Sequence, residues 1–539
     1  MRLKTWAIAA VALALSAVLP SASLAQKPAE PTLEVRLRSV NDLLTKAEYI
    51  GGLVDKDEPV KQIRGLITQL SADGKGVEGV DPKKPFGVYA VLTQDVQSSP
   101  VIVMIPIADQ ERFLAALKDR LQIVPEKADG GTLKANVPLI NEVFLRFAND
   151  YLYIGRTAAD LAEKSLVSPK DYFAKDDGSV LSVTARLDRI PAEVKTFVLG
   201  QFEHQVQEGL KKKEANKKES EKKLEALIAD TVVGSSKMLA DDGKELSLKV
   251  FVDAKTDDLS FELTLTAKDG TPLAKNFAGL AGRTSVPAGI TAAKNPVAQV
   301  IAKAGLPEDL KKKLAPAIDQ MVKEAIDNAG DREAARRVIE PLAATAKAGN
   351  LDIAASLVGP DAKGKYAAIA AVMLQDAKDL EKVLKDFAAA IPADAVEITF
   401  DVEKVGKFAL HKVVIKAADE NFENIFGTKT VWLAVSDDCI AASIEAEGTL
   451  IKAGLKAKPA PAPVFSAEVA LARAVPLFEK NLKPDEVKAL LKDAFGNESP
   501  AGKDTIGIAV EGGKQLTVKI KVKGKAFRLA TMLDEFKLK

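Results

Sequence analysis

Two histidines and one cysteine are all the imidazole and thiol that this 539-residue sequence offers. A metal centre built on imidazole needs two or three ligands converging at characteristic spacing. Neither His204 nor His411 has another His or Cys close to it in the chain. His204 falls in a helical run and His411 follows Leu410 of a strand pattern, so both read as incidental surface or boundary residues. Cys439 stands directly behind Asp437 and Asp438. A nucleophilic thiol needs a base or positive surroundings to ionise. Two acidic neighbours oppose that, which makes Cys439 a small packing residue.

Gly74-Lys75-Gly76-Val77-Glu78-Gly79 matches the dinucleotide fingerprint in form only. That motif works when it follows a strand and opens a helix, so that backbone N–H groups meet the pyrophosphate. Here it follows a helical pattern and runs into Asp81-Pro82, which reads as a flexible loop. The chain holds no Gly-rich loop ending in Gly-Lys-Ser/Thr and no Gly-x-Ser-x-Gly elbow. Asp176-Asp177, Asp241-Asp242, Asp257-Asp258 and Asp437-Asp438 fall at expected turns or loops and lack the ligand pattern of a calcium loop. Carboxylates far apart in sequence could still meet in space. The residues thus name no catalytic, metal or cofactor site, and no cofactor is expected.

Residues 1–25 have the layout of an export signal: Arg2 and Lys4, an apolar stretch from Ala7 to Leu19, then Ser23-Leu24-Ala25 with cleavage expected after Ala25. No later stretch reaches the ~20 apolar residues of a membrane-spanning helix. Removing Arg2 and Lys4 leaves 74 Lys+Arg against 75 Asp+Glu. So even a balance gives no electrostatic reason to expect nucleic acid as a partner. One cysteine excludes an internal disulfide, so apolar burial must supply the folding energy. An exported protein, periplasmic or secreted, is expected.

The elements that would position any site come in a repeated order. Val143–Ile154 reads as a β-hairpin turning at Asn149-Asp150, and Val431–Ile440 repeats it at an offset of 288: Phe144 meets Trp432, Leu145 meets Leu433, and Asp150 meets Asp438. Before it, strands at Phe86–Leu92 and Val101–Ile107 lead to a helix capped by Asp109, with Phe113, Ala116 and Leu117 on one face. Asp352–Val358, Ala368–Leu374, an Asp376 cap and Leu380, Val383 and Leu384 repeat that unit at an offset of 267. Looser copies are Leu246–Val252 with Leu259–Leu265, and Ile506–Val510 with Leu516–Val522.

Further elements are a strand at Thr32–Arg38, helices at Val40–Leu53 and Val60–Leu70, a short helix at Thr157–Ser165 and a strand at Val180–Leu187. Lys211–Lys223 lacks large apolar residues and reads as a solvated helical arm within 205–230. Leu306–Ile326 keeps an apolar stripe and reads as packed. Lys456–Pro463 reads as a stiff connector.

The signal, the alternating strands and the Asp-led helix after each strand pair resemble the DUF3352-like families of exported bacterial proteins. The likest pieces are Pro100–Leu117, the Asn149-Asp150 hairpin and Ser165–Pro169. The resemblance carries no catalytic residues and implies no activity.

The fold expected is α+β, with two tandem pseudo-repeat domains at 26–283 and 284–539. Each is a mainly antiparallel sheet with helices packed on one face. The function expected is that of a non-enzymatic envelope component, structural, interacting or ligand-binding, whose partner is an envelope protein or a small apolar ligand. Two alternatives stay open: a carboxylate-dependent hydrolase, and a carrier of an apolar ligand such as lipid, held between a sheet and its helices.

Overall fold

The computed structural model describes residues 30–53, 78–137, 141–174, 177–211, 219–329, 332–388, 392, 394–418, 420–477 and 483–537. The expected signal at 1–25, the helix at 60–70, residues 74–77 of the Gly-rich loop, Asp176 and residues 212–218 of the charged arm lie outside them. The fold is α+β. The chain forms two compact units, one of residues up to Gln201 with Ala240–Lys268, the other of Phe202–Leu239 with Asp269–Lys539. Among the described residues no helix is long and apolar enough to cross a membrane.

The first unit contributes strands β1 (Leu33–Leu37), β2 (Phe86–Ala90), β3 (Val101–Pro106), β4 (Glu126–Lys127), β5 (Leu133–Val137), β6 (Asn141–Ala148), β7 (Tyr151–Gly155), β8 (Leu181–Arg186), β9 (Gly243–Asp253) and β10 (Asp258–Ala267). All neighbours run antiparallel in the order β4-β5-β6-β7-β3-β2-β1-β8-β9-β10. In the second unit Thr284–Ser285 (β11) is followed by β12 (Ala298–Gly305), β13 (Asn350–Val358), β14 (Ala367–Met373), β15 (Val396–Val405), β16 (Phe408–Ile415), β17 (Thr430–Val435) and β18 (Cys439–Ile444). After these come β19 (Ala460–Pro461), β20 (Phe465–Ala470), β21 (Thr505–Glu511) and β22 (Gln515–Lys523). Its antiparallel order is β15-β16-β17-β18-β14-β13-β12-β20-β21-β22. Position for position, the two orders are the same.

Registers agree as well. Pro106 pairs with Tyr151 and Met373 pairs with Cys439. Pro106 and Met373 are 267 residues apart, while Tyr151 and Cys439 are 288 apart, the two offsets visible in the sequence.

Local chemistry explains the main elements. Asn149 and Asp150 both take positive φ, 56° and 61°, as a two-residue turn matched to strand twist requires. The helix Gln110–Leu121 starts at Asp109, whose carboxylate accepts from the Arg112 N–H at 3.0 Å, and Phe113 and Ala116 are buried beneath it. Gly79 lets that start pack closely. Its φ is +77°, its carbonyl accepts from the Ala108 and Asp109 N–H groups, and a Cβ there would stand 2.3 Å from the Asp109 carbonyl.

Four local expectations need correction. Asp376 is not a copy of the Asp109 cap: its φ is 54°, and the first helical N–H, at Ala377, bonds the Asp437 carbonyl instead. Thr157–Ser165 is a run of turns ending in a 3-10 turn at Glu163–Ser165, too short of periodic apolar residues to wind further. Asp241-Asp242 closes the helix Glu219–Asp242 rather than a loop. Within the Lys456–Pro463 connector, Ala460–Pro461 pairs with Thr284–Ser285.

Candidate functional site

One face of the first unit's sheet is apolar across nine of its ten strands. Following the register across nine strands, Leu133 faces Leu145, then Ile154, Val103, Val88, Val35, Val183, Leu248 and Leu263. The helix Gln110–Leu121 covers the β5–β6–β7–β3 part of this face, where Phe113, Val143, Leu145 and Leu152 form a buried cluster. Beside that cluster lies a cavity of about 400 Å³, walled by Val35, Val88, Val103, Phe113, Leu145, Ile154 and further apolar residues. Among the described residues, every one that lines it is apolar or glycine. A void of this kind stays dry and accepts apolar guests, and its volume lies in the range of small-molecule sites.

Beyond the helix the same face is open. Leu248, Phe261 and Leu263 are 40%, 44% and 41% exposed, whereas Ser247 and Thr264, which alternate with them, are buried. In an ordinary half-solvated sheet the alternation runs the other way, with polar residues outward. Scattered exposed apolar residues need no explanation, but a continuous row does.

The opposite face is filled by aromatic residues. Tyr89, Tyr153 and Tyr172 are buried with Met104 and Leu161, and the Tyr172 hydroxyl donates to the Val88 carbonyl at 2.8 Å. Burial pushes the Tyr89 and Tyr172 hydroxyls above their usual range, so both stay neutral, Tyr172 donating and Tyr89 accepting from the Val167 N–H at 3.3 Å.

The second unit carries a polar cluster around a buried histidine. His411 on β16 is 1% exposed, which overturns its reading as a surface or boundary residue. Its Nδ1 accepts from the Asp401 N–H at 3.0 Å, and its Nε2 lies 3.4 Å from Glu381 Oε1. Asp401 reaches this place because the β15–β16 ladder shifts register between Thr399 and Glu403, with φ of 52° at Asp401. Lys385 Nζ stands 2.7 Å from Glu381 and 2.9 Å from Asp401. Burial lowers the imidazole's pKa against the pull of the two carboxylates.

Glu381, Asp401 and His411 bring three ligand-type atoms within 4.8 Å of one another. The donor set does not suit a cation. A neutral ring that accepts at Nδ1 carries its proton on Nε2, so neither nitrogen has a free lone pair, and the Lys385 ammonium already sits between the carboxylates. The strand pattern held a signal for the burial, since Ala409 and Val413 flank His411 on its own face.

The remaining sequence candidates do not converge. His204 is exposed. Cys439 is fully buried, and burial first, then Asp438, pushes its thiol up to about 12. Asp437 pairs with Lys378, and Asp438 with Lys407 at 2.5 Å. Asp257 occupies a turn with φ of 57° and accepts from the Tyr49 hydroxyl. Comparison with protein-family models, curated proteins and solved structures finds no match to this chain.

Proposed function

We propose that this chain is an exported, non-enzymatic protein that binds an apolar ligand, a lipid chain laid against the sheet of its first unit. One observation carries the reading: the cavity of about 400 Å³ between the sheet and the helix Gln110–Leu121, lined among the described residues by apolar side chains and glycine alone. The row from Val35 through Val183 and Leu248 to Leu263 extends that wall into an open apolar track along which a chain could enter. Covering such surface is favourable by roughly 25 cal/mol per Å² of apolar area.

Export rests on the Arg2–Ala25 sequence, and membership of the DUF3352-like exported families rests on the pattern of signal, strands and Asp-led helices. Descent of the two units from one duplicated block is supported by their common strand order and by the offsets of 267 and 288. A hydrolase is the weaker reading. Its best carboxylate pair, Glu381 and Asp401, is tied up by Lys385, and the one thiol is held protonated.

The test is mass spectrometry of freshly purified, denatured protein, together with titration of a fluorescent long-chain probe. A co-purifying lipid and saturable binding are expected. A clean spectrum with no binding of any long-chain probe would refute the proposal.

A further inference from the structure

Arg36 alternates along β1 with Val35 and Leu37, which wall the apolar cavity. It therefore points to the other, aromatic face of the sheet, where it lies over the Tyr172 ring at 4.9 Å. At the end of β1 that face opens into a polar cleft of about 680 Å³, in the range of small-molecule sites. Three separate stretches bring cations to it: Arg36 and Arg38 on β1, Lys83 and Lys84 ahead of β2, and Lys170 in the short helix Pro169–Tyr172. The described residues that line it include two carboxylates, Asp150 and Asp177. Asp177 is engaged by Lys249 Nζ at 2.8 Å and by the Ser179 hydroxyl, and the exposed Asp150 stands 3.7 Å from Lys84. Arg36 is paired with Glu34. Lys83 and Lys170 are exposed and have no ion-pair partner among the described residues.

The backbone that carries these lysines is fixed in place. The Tyr151 hydroxyl donates to the Pro85 carbonyl at 3.1 Å, and the Lys83 N–H donates to Asp81 Oδ1 at 3.0 Å. Tyr151 in turn stacks on Phe173, with ring centres 5.8 Å apart. The fold does not demand the charge. Leu37 lies opposite Phe86 in the first unit as Ala302 lies opposite Ile353 in the second. Arg36, Arg38, Lys83, Lys84 and Pro85 thus match Ile301, Lys303, Asn350, Leu351 and Asp352. The single cation among those five, Lys303, is satisfied by Asp352 at 2.6 Å. The second unit balances its charge at this end, whereas the first leaves a cleft of one sign, which concentrates anions.

We propose that this cleft is a second ligand site, independent of the apolar cavity, and that it takes a small phosphate compound of two or more negative charges, held by Lys83, Lys84 and Lys170. Lysine favours phosphate here. An ammonium is a compact charge with three donors, suited to the oxygens of a tetrahedral phosphoryl group, whereas a planar carboxylate is best matched by an arginine fork. Cations arriving from separate stretches of chain favour a ligand with more than one charged group.

The experiment titrates the full chain by calorimetry, at neutral pH and constant ionic strength, with inorganic pyrophosphate, inorganic phosphate and the dicarboxylate malonate. Saturable binding of pyrophosphate at one site is expected, at least about tenfold tighter than that of phosphate or malonate. The triple variant Lys83→Gln, Lys84→Gln, Lys170→Gln should lose that affinity by at least about tenfold. A control, Lys404→Gln, Lys488→Gln, Lys492→Gln, removes the same charge from exposed positions of the second unit and should bind as the unaltered chain does. Pyrophosphate should also raise the melting midpoint of the unaltered chain and the control, but not of the triple variant. No saturable binding, malonate bound as tightly as pyrophosphate, or equal losses in the two variants would overturn the proposal. Long-chain probes report on the cavity separately, so failure here would leave the apolar-ligand reading standing.

Discussion

The same line drawn across the two sheets passes through different chemistry. In the first unit it runs Leu133, Leu145, Ile154, Val103, Val88, Val35, Val183, Leu248, Leu263. In the second it runs His411, Leu433, Ala442, Ala370, Ala355, Val300, Ala467, Ile508, Ile520. Strand order and register are common to both, so topology alone does not decide what this face does. Branched side chains and Phe113 wall a cavity of about 400 Å³ in the first unit, whereas the alanines leave a shallower groove of about 300 Å³ in the second. Where the first unit places Leu133 at one end of the row, the second places His411 and braces it with Asp401, Glu381 and Lys385. One backbone plan thus supports a greasy slot in one unit and a buried polar cluster in the other.

The largest effect should come from removing the ring that roofs the slot. Phe113→Ala deletes a buried aromatic side chain and should cost about 3–5 kcal/mol in urea denaturation. Leu380→Ala, at the matching place of the second unit, is only half-buried and should cost about 2 kcal/mol. Equal losses would dissolve the difference between the two roofs.

Filling the slot should separate the units by function. Val103→Phe projects an extra ring into the cavity and should weaken long-chain probe binding by at least about tenfold. Ala370→Phe, its counterpart, should leave binding unchanged. A loss in both variants, measured by the same titration, would mean that the second groove takes part.

The polar end of the second row makes stability depend on pH. The folded imidazole of His411 has a pKa below its usual 6.5, so between the two values the unfolded chain binds more protons. The contribution is therefore present above pH 6.5 and is lost as pH falls from 6.5 toward the folded value, with a slope of at most about 1.4 kcal/mol per pH unit. His411→Leu, which gives the second unit the residue type of the first, should flatten this part of the profile. It should also cost about 1–2 kcal/mol because the Asp401 N–H loses its acceptor. Denaturation midpoints between about pH 5 and 7.5 check both.

The smallest contrast lies in the two hairpin turns. Asn149 sits at positive φ, so Asn149→Ala should cost about 1 kcal/mol. Asp437 does not take positive φ, and its exposed pair with Lys378 is worth little, so Asp437→Ala should stay within about 0.5 kcal/mol. Matching losses in urea midpoints would mean that the turns behave alike.

Features fixed by neighbouring residues were legible in the sequence. Alternation of Leu33, Val35 and Leu37 announced β1, and the Asn-Asp pair and the Asp109 cap behave as their chemistry requires. The helix Val40–Leu53 starts at the residue its periodicity implied. What stayed hidden depends on residues brought together from afar. The cavity exists only because β7, β3, β2 and β1 lie side by side, an order that no local pattern encodes. His411 gains its partners from a register shift about ten residues upstream and from a helix about thirty residues away. The echo of Asp109 in Asp376 misled for a related reason: a matching residue type does not impose matching φ.

Photolabelling gives the most direct test of the central claim, that the first unit and not the second holds an apolar ligand. An aliphatic diazirine probe, irradiated with the full chain and mapped by peptide mass spectrometry, should mark β2, β3 and β7 around Val88, Val103 and Ile154. Label spread equally over β13, β14 and β18, or none on the first unit's strands, would contradict the account.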